Sequence, residues 1–498
     1  MKMNNKLMKN IGISLFYSCI VLLGIGCNDF LDVAPSKQTN IELSKVEHLD
    51  ALLAAINTTT GNSSLVLSPD ITEISTDLYD KTRNGAPFYQ HGMAYYLWMT
   101  EEVANLSMSG VWGSAYKNIF TANTVLENLS KVEGRDDLKA DLKSEAHFIR
   151  AFHNWELLNT YCLPYAEENL KELGIPKKTS TSFEQSLKRM SLEDSYRFVE
   201  ADLMEALKTS NDKLNRRWRV SLPAVHSFLA RFYLFRNDYD NALKYAEKAL
   251  EADATLVDYN TEMSYGKDQS SSQGAMHMPY LWWESTSNPS VKLEWKEFYY
   301  QYFLSASCAY YCPSQAMLEL YDKDNDLRYK YLMCENFSWR HNIAYTYPGY
   351  VCFRTSIPYG PTVQEMLLTK AECLARKGDF NEAMKVVNEL RAKRMVAGTD
   401  VNLSASSKDE AIIKILEERV RELTWSLRWF DIRRLNNNET TIDDVIMKRL
   451  FYPHNGLIIE KGSTPIEYSL ELKDRRFAEP INKDDVYLSQ GEIEQNLY

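Results

Sequence analysis

The sequence predicts a mostly α-helical protein, in which a tetratricopeptide-like helical repeat scaffold carries long, irregular, aromatic-rich loop insertions. Residues 222–250 place small and apolar residues at the spacing of a tetratricopeptide repeat, with a turn at Asn237. The same pattern returns in residues 363–391, with a turn at Gly378. Long stretches without sustained periodicity lie between such segments, and they favour loops inserted into a helical scaffold.

Each repeat pattern predicts two antiparallel helices in contact. In the first repeat the positions that match are Leu229, Ala230, Tyr233, Ala242 and Ala249. In the second they are Leu367, Ala371, Leu374, Ala383 and Leu390. Small residues such as Ala230 and Ala242 allow two helix backbones to approach closely. Repeats of this kind stack on their neighbours and are not stable alone.

Four segments are predicted as repeat helices: about 110–161, 195–252, 363–395 and 407–435. The last has an apolar stripe at helical spacing, formed by Ile412, Ile415, Leu416, Val420, Leu423 and Leu427. Trp425, Trp429 and Phe430 are predicted to lie in the core. Three insertions, about 62–100, 254–311 and 334–362, are expected to carry function, because loops on a rigid scaffold usually do.

The N-terminus predicts an exported protein. Three lysines precede an apolar run from Ile11 to Gly26, which is shorter than the ~20 residues that a spanning helix needs. We therefore predict a cleaved lipoprotein signal peptide over residues 1–26, an acylated Cys27 and a tether over residues 27–45. An ordinary secretory signal is the alternative.

Charge and cysteine content exclude some functions. A net charge of −11 without a basic block disfavours nucleic acid as a partner. Six cysteines remain after Cys27, and the sequence leaves open whether they pair as disulfides or stay buried thiols: Cys162, Cys308, Cys312, Cys334, Cys352 and Cys373. No histidine lies near Cys308 and Cys312 to complete a zinc site.

Several blocks in chain order resemble the SusD/RagB family. They are CNDFLDVAP from Cys27, ANTVLENL from Ala122, SEAHFIRAFHNWELLNTY from Ser144, PSQAMLELYD from Pro313, EERVRELTWSLRWFDIRRL from Glu417 and EPINKDDVYLSQGEIEQNLY from Glu479. The resemblance covers essentially the whole chain after residue 26. It implies an outer-membrane lipoprotein facing the cell exterior, without a cofactor, that binds an oligosaccharide and delivers it to a SusC-like TonB-dependent transporter.

The resemblance carries no ligand contact to particular residues, so the candidates come from loop composition. Aromatic faces cover the C–H faces of sugars, and polar groups read the hydroxyls. The candidate ligand residues are Tyr79, Arg83, Tyr95, Trp98, Trp282, Trp283, Trp339 and Tyr345. Packing of loops on helices is the alternative role for any one of them, and a peptide is not excluded as the ligand.

No catalytic centre is predicted. Glu417, Glu418 and Glu422 lie beside arginines at helical spacing, and we interpret them as a solvated, ion-paired helix face. Asp322, Asp324 and Asp326 alternate as in a calcium loop, but Leu327 stands where glycine is expected, so a polar turn is our preferred interpretation. Two rival functions remain: a surface glycoside hydrolase, and a helical-repeat adaptor that binds only proteins.

Overall fold

The computed structural model describes residues 43–81, 90–106, 110–265, 269–271, 274–276, 293–306, 311–334, 348–353, 356–400 and 402–498. The chain divides into two units, residues 1–45 and residues 46–498. The second unit is built mainly from helices, joined by loops and short strands, which confirms the predicted fold class.

The first half of the second unit holds helices α1 (Val46–Ala54), α2 (Ser63–Leu67), α3 (Thr76–Lys81), α4 (Gln90–Tyr96), α5 (Thr100–Ala104), α6 (Gly110–Asn128), α7 (Asp136–Tyr161), α8 (Leu192–Ala206), α9 (Leu222–Leu234) and α10 (Tyr239–Ala252). The second half holds α11 (Gln315–Glu319), α12 (Leu327–Leu332), α13 (Val363–Arg376), α14 (Phe380–Arg391), α15 (Lys408–Glu422), α16 (Arg428–Leu435) and α17 (Lys483–Leu488). Neighbouring long helices pack in the pairs α6–α7, α7–α8, α9–α10, α10–α13, α13–α14 and α13–α15.

The two predicted repeats, α9–α10 and α13–α14, share the same turn chemistry. Asn237 and Gly378 both have a positive φ, of 58° and 98°, a conformation that glycine and asparagine accept best. The next residue in each repeat caps the second helix. Asp238 accepts a hydrogen bond from the Asn241 backbone N–H, and Asp379 accepts one from the Glu382 N–H.

Small residues lie where these helices meet. Ala230 and Ala242 are fully buried in the first repeat, and Ala371 and Ala383 in the second. The close contacts expected from the alanine spacing are therefore present.

The aromatic core is centred on α7. The Trp155 ring packs edge-on against Phe228 of α9, Phe235 and Phe430 of α16, at centroid distances of 5.5, 5.3 and 5.8 Å. Trp425 and Trp429 are also buried, as predicted.

Buried ion pairs cross between the helices. Glu418 and Glu422 of α15 were predicted on a solvated face, but that prediction is wrong for both side chains, because they are buried against arginines. Glu418 binds Arg391 and Arg328, each at 2.8 Å. Arg328 of α12 and Arg391 of α14 reach α15 from other helices, which a single-helix pattern does not reveal.

Short strands join the helices. They are β1 (Thr59–Thr60), β2 (Leu173–Pro176), β3 (Arg189–Ser191), β4 (Gln269–Ser271), β5 (Gly274–Met276), β6 (Phe303–Ser305), β7 (Met333–Cys334), β8 (Gly349–Tyr350), β9 (Ser356–Pro358), β10 (Met447–Phe451), β11 (His454–Asn455), β12 (Ile458–Ile459) and β13 (Ile466–Leu470). β6 lies between β1, which is parallel to it, and β9, which is antiparallel. The remaining strands form antiparallel pairs: β2–β3, β4–β5, β7–β8, β10–β13 and β11–β12.

Residues 62–100 differ from the expected irregular insertion, because the described part contains α2, α3 and α4. Helices of five to seven residues are too short to show sustained periodicity. The local sequence still explains α2, since the Asn62 side chain accepts hydrogen bonds from the Ser64 and Leu65 N–H groups.

Residues 494–496 pack on a part of the chain more than 300 positions earlier. Asn496 donates to the Tyr161 carbonyl at 2.9 Å. Arg189 of β3 donates to the Glu494 carbonyl and to Asn496 Oδ1, both at 2.9 Å. Within the described ranges, each helix is too short or too polar to cross a membrane.

Candidate functional site

Two of the predicted insertions return to the scaffold at one group of aromatic residues, which we call the anchor cluster: Tyr259, Tyr265, Trp295, Tyr331, Tyr350 and Phe353. Tyr265 and Trp295 stand on either side of residues 266–292, and Tyr350 and Phe353 follow residues 335–347. The strand pair β7–β8 brings the two ends of that second segment together, because Cys334 is opposite Gly349.

Ring contacts join five members of the anchor cluster in two groups, and Tyr259, Trp295, Tyr350 and Phe353 line one small cavity. Tyr331 packs against Tyr265 at 5.4 Å and against Tyr259 at 6.4 Å between ring centres. Trp295 meets Phe353 edge-on at 5.3 Å. The segments that the sequence identifies as ligand loops therefore start and end on a packed aromatic base.

Buried charges hold this base in place. Arg394 stacks on the Tyr259 ring at 4.3 Å and binds Glu297 at 2.7 Å and Glu422 at 2.8 Å. Glu297 also accepts the Trp295 indole N–H at 3.1 Å, so one carboxylate positions both an arginine and an anchor ring. Burial raises the pKa of Glu297 above its ordinary value, although Arg394 opposes the shift.

Five of the eight predicted ligand residues lie outside the described residues: Arg83, Trp282, Trp283, Trp339 and Tyr345. Cys27 and Cys308 lie outside them as well. Their roles stay predictions.

Tyr79 and Tyr95 are half-buried and lie apart from the anchor cluster. Tyr79 packs edge-on against Phe451 at 5.4 Å, and burial, then the neighbouring Asp80, raises its pKa. Tyr95 lines a cavity of about 230 Å³ together with Asn62, Asn482 and Glu479. Burial, then the Glu479 carboxyl, raises the pKa of Tyr95. This cavity has both the aromatic and the polar groups of a sugar site.

Trp98 does not fit the predicted role as a stacking surface, because its side chain is only 5% exposed. Its indole N–H donates to the Ser68 carbonyl at 3.1 Å, and the Arg449 guanidinium covers the ring at 4.4 Å. Arg449 is itself buried, and burial lowers its pKa to about 10. Trp98 follows a short helix that leads into the core, which composition alone could not reveal.

Asp322 and Asp326 of the calcium candidate make contacts within the protein. Asp322 accepts hydrogen bonds from Asn325, and Asp326 caps α12 and binds Arg328 at 2.8 Å. In the described part of the chain, His, Cys, Asp and Glu side chains nowhere gather in threes as a metal site.

Cys162 and Cys373 are buried free thiols. Burial raises the pKa of both above the ordinary thiol value. Such thiols are poor nucleophiles.

A groove of about 750 Å³ lies between α15, residues 70–76 and residues 442–450. Five carboxylates line it, and two of them are held by arginines: Asp70 is bound to Arg428 at 2.5 Å and Asp443 to Arg376 at 2.6 Å, while Glu73, Glu417 and Asp444 complete the lining. Carboxylates held by arginines are poorly placed to exchange protons with a substrate.

A further pocket was missed by the sequence reasoning. It has a volume of about 470 Å³ and includes Phe183, which lies in the loop between β2 and β3. The only sequence clue is a single aromatic residue within the polar stretch KKTSTSFEQS.

The fold defines the chain as a helical-repeat protein of the tetratricopeptide class, and a tetratricopeptide repeat model matches residues 224–256. Two family models assign it further. A SusD-like model described as "starch-binding associating with outer membrane" matches residues 29–234, and the SusD family model matches residues 363–498. Together they cover more than half of the chain, which belongs to the SusD/RagB family of carbohydrate-binding, outer-membrane-associated proteins.

Solved structures of similar fold include a SusD superfamily protein from Bacteroides thetaiotaomicron, with a TM-score of 0.64 and 17% identity over 91% of this chain and 100% of that one. A SusD-like carbohydrate binding protein from Bacteroides vulgatus has a TM-score of 0.54 and 15% identity, over 90% and 97% of the two chains. A laminarin binding SusD-like protein has a TM-score of 0.54 and 15% identity, over 81% and 96%. A search of curated proteins finds no match.

Proposed function

We propose that this protein is a cell-surface nutrient-binding lipoprotein that binds an oligosaccharide and passes it to a SusC-like TonB-dependent transporter. The observation that carries the proposal is the anchor cluster. The described ends of two aromatic-rich insertions meet there on a base that Arg394 and Glu297 hold in place. Membership of a carbohydrate-binding family supports the ligand class.

The proposal assigns different roles to the scaffold and to the insertions. The repeat helices form a rigid scaffold and a face for the transporter, while the insertions bind the ligand. Acylated Cys27, followed by the tether of residues 27–45, holds the protein to the outer face of the outer membrane. Asp29 and Asp32 mark it for surface export.

Trp282, Trp283 and Trp339 are the proposed stacking residues, because indole offers the largest aromatic face. Replacing each with Ala should weaken binding by about 1–3 kcal/mol for a true contact and leave the fold intact. Tyr487→Ala is the matched control, since Tyr487 is 82% exposed and lies on α17, outside the insertions. Calorimetry measures the affinities.

A glycan panel separates this proposal from its rivals. The protein is incubated with oligosaccharides of different linkage, and both retention and cleavage are scored. Retention without cleavage supports a binding protein, and cleavage supports the glycoside hydrolase. If no glycan is retained while the co-expressed transporter is captured, the chain is a protein-binding adaptor.

A further inference from the structure

The Phe183 pocket, the missed pocket of about 470 Å³, lies outside the predicted insertions, beside the first half of α6. Its apolar walls are formed by Trp112, Ile119, Phe120, Phe183, Leu187 and Ile493. The hairpin loop of residues 177–188, which joins β2 to β3, supplies one wall. The volume lies in the range of small-molecule sites.

Phe183 is 93% exposed although it is a large apolar side chain. It stacks on Phe120, which is 44% exposed, with ring centres 6.2 Å apart and planes 22° from parallel. The two rings and the pocket between α6 and the hairpin loop form one continuous apolar surface. A surface of this kind that remains uncovered in the folded chain indicates a contact site.

Hydrogen bonds fix the loop that carries Phe183. Gln185 accepts from the Thr179 and Ser180 N–H groups and donates to the Ser180 and Ser182 carbonyls. Glu127 of α6 accepts from both the backbone and the side chain of Thr181, at 2.9 and 2.6 Å. The loop backbone on either side of Phe183 is therefore ordered before a ligand arrives, which reduces the entropy lost on binding.

The charges at the pocket indicate a neutral ligand. Lys178 and Asp485 are its two charged lining residues, and their charges cancel. Lys178 is already engaged, because its Nζ donates to the Gln185 carbonyl at 2.9 Å. Asp485 offers a carboxylate, which accepts hydrogen bonds from neighbouring hydroxyls.

A sugar ring combines the two features that this surface matches, an apolar C–H face and a rim of hydroxyls. We propose that the Phe183 pocket is a second oligosaccharide-binding surface, in which Phe183 stacks on a sugar ring and Asp485 accepts hydrogen bonds from its hydroxyls. The proposal rests on the proposed function only for the class of ligand. Its site is separate from the anchor cluster.

Methyl NMR of the full chain, labelled with ¹³C at the isoleucine δ1 methyl groups, observes both sites in one sample. Ile119 and Ile493 line the Phe183 pocket, and Ile357 lines a small cavity against Trp295 and Phe353 of the anchor cluster. The titrants are laminarihexaose, maltohexaose, xylohexaose and mannohexaose. We expect at least one of them to shift the Ile119 and Ile493 resonances in a saturable way.

Three variants test the assigned contacts. Phe183→Ala should raise the Kd read from Ile119 about tenfold, by analogy with the energy that a nucleobase gains from stacking on an aromatic side chain. Asp485→Asn should also raise it, while Tyr487→Ala, which removes another exposed ring that does not line the pocket, should not. Ile357 shifts should be the same in all three variants.

The proposal is overturned if Ile119 and Ile493 fail to shift, or if Phe183→Ala leaves their titration unchanged. If Ile119 and Ile493 fail to shift but Ile357 shifts, the proposed function still stands. If none of the oligosaccharides shifts any of these resonances, both proposals are wrong.

Discussion

Arg231 and Glu365 form a buried ion pair that joins the two repeats, and it can be tested by removing one or both charges. Arg231 of α9 donates to Glu365 of α13 at 2.7 and 2.6 Å, and the side chains are 0% and 1% exposed. The guanidinium lies among aromatic rings, with Trp155 and Phe228 at 5.6 and 5.8 Å. Neither charge has access to water.

Each single variant, Glu365→Leu or Arg231→Met, leaves an uncompensated charge in this apolar environment. The free energy of unfolding should fall by about 3–5 kcal/mol in each, a large part of the ~5–15 kcal/mol typical of a domain. The double variant removes both charges and keeps similar volume. Its stability should lie within about 1 kcal/mol of the wild type, because apolar replacements of buried pairs are often neutral.

Urea unfolding, followed by both tryptophan fluorescence and far-UV circular dichroism, measures the four free energies. Coincident transitions from the two probes are the control for two-state behaviour. If the two single losses simply add in the double variant, the charges are not coupled and the reasoning is refuted.

Three further predictions concern the anchor, the scaffold and acid-base behaviour. Cys27→Ala should leave a folded protein that incorporates no labelled fatty acid, and labelling equal to the wild type would defeat the anchor proposal. Ala230→Trp or Ala371→Trp should lower the Tm strongly through overpacking of ~1–3 kcal/mol or more, whereas the exposed Glu389→Trp should not. Burial raises the pKa of Glu479 to about 7, so the folded chain holds a proton that the unfolded chain releases, and stability should fall as pH rises from about 5 to about 7. Glu479→Gln should flatten this dependence of Tm on pH, and equal slopes in both proteins would contradict it.

The scaffold could be predicted from sequence because its determinants are local. Alanines at 230 and 371 recur at the spacing of close helix contacts, and an aspartate after each turn caps the next helix. Glu418 shows the limit of this reasoning. Whether a carboxylate beside arginines faces solvent depends on which other helices pack over it, and Arg391 and Arg328 reach it from elsewhere in the chain.

The candidate site was less predictable. Aromatic composition identified the insertions, but it could not distinguish Trp98, which Arg449 covers, from Phe183, which is exposed. Both placements depend on contacts between distant segments. The burial of the Glu297 carboxylate, which positions Trp295 and Arg394, could not be predicted either, because it depends on contacts with distant parts of the chain.

The contacts of residues 494–496 with Tyr161 and Arg189 limit how early this part of the fold can be completed during synthesis. Their partners are 305 to 335 positions apart in the chain. At a synthesis rate of about 5–20 residues per second, roughly 15 to 70 s pass between the emergence of one partner and the other. During that interval Arg189 of the β2–β3 hairpin cannot donate to the Glu494 carbonyl or to Asn496. The Tyr161 carbonyl at the end of α7 also lacks its hydrogen bond from Asn496. The hydrogen bonds that complete this part of the fold therefore form only after residues 494–496 have been synthesised.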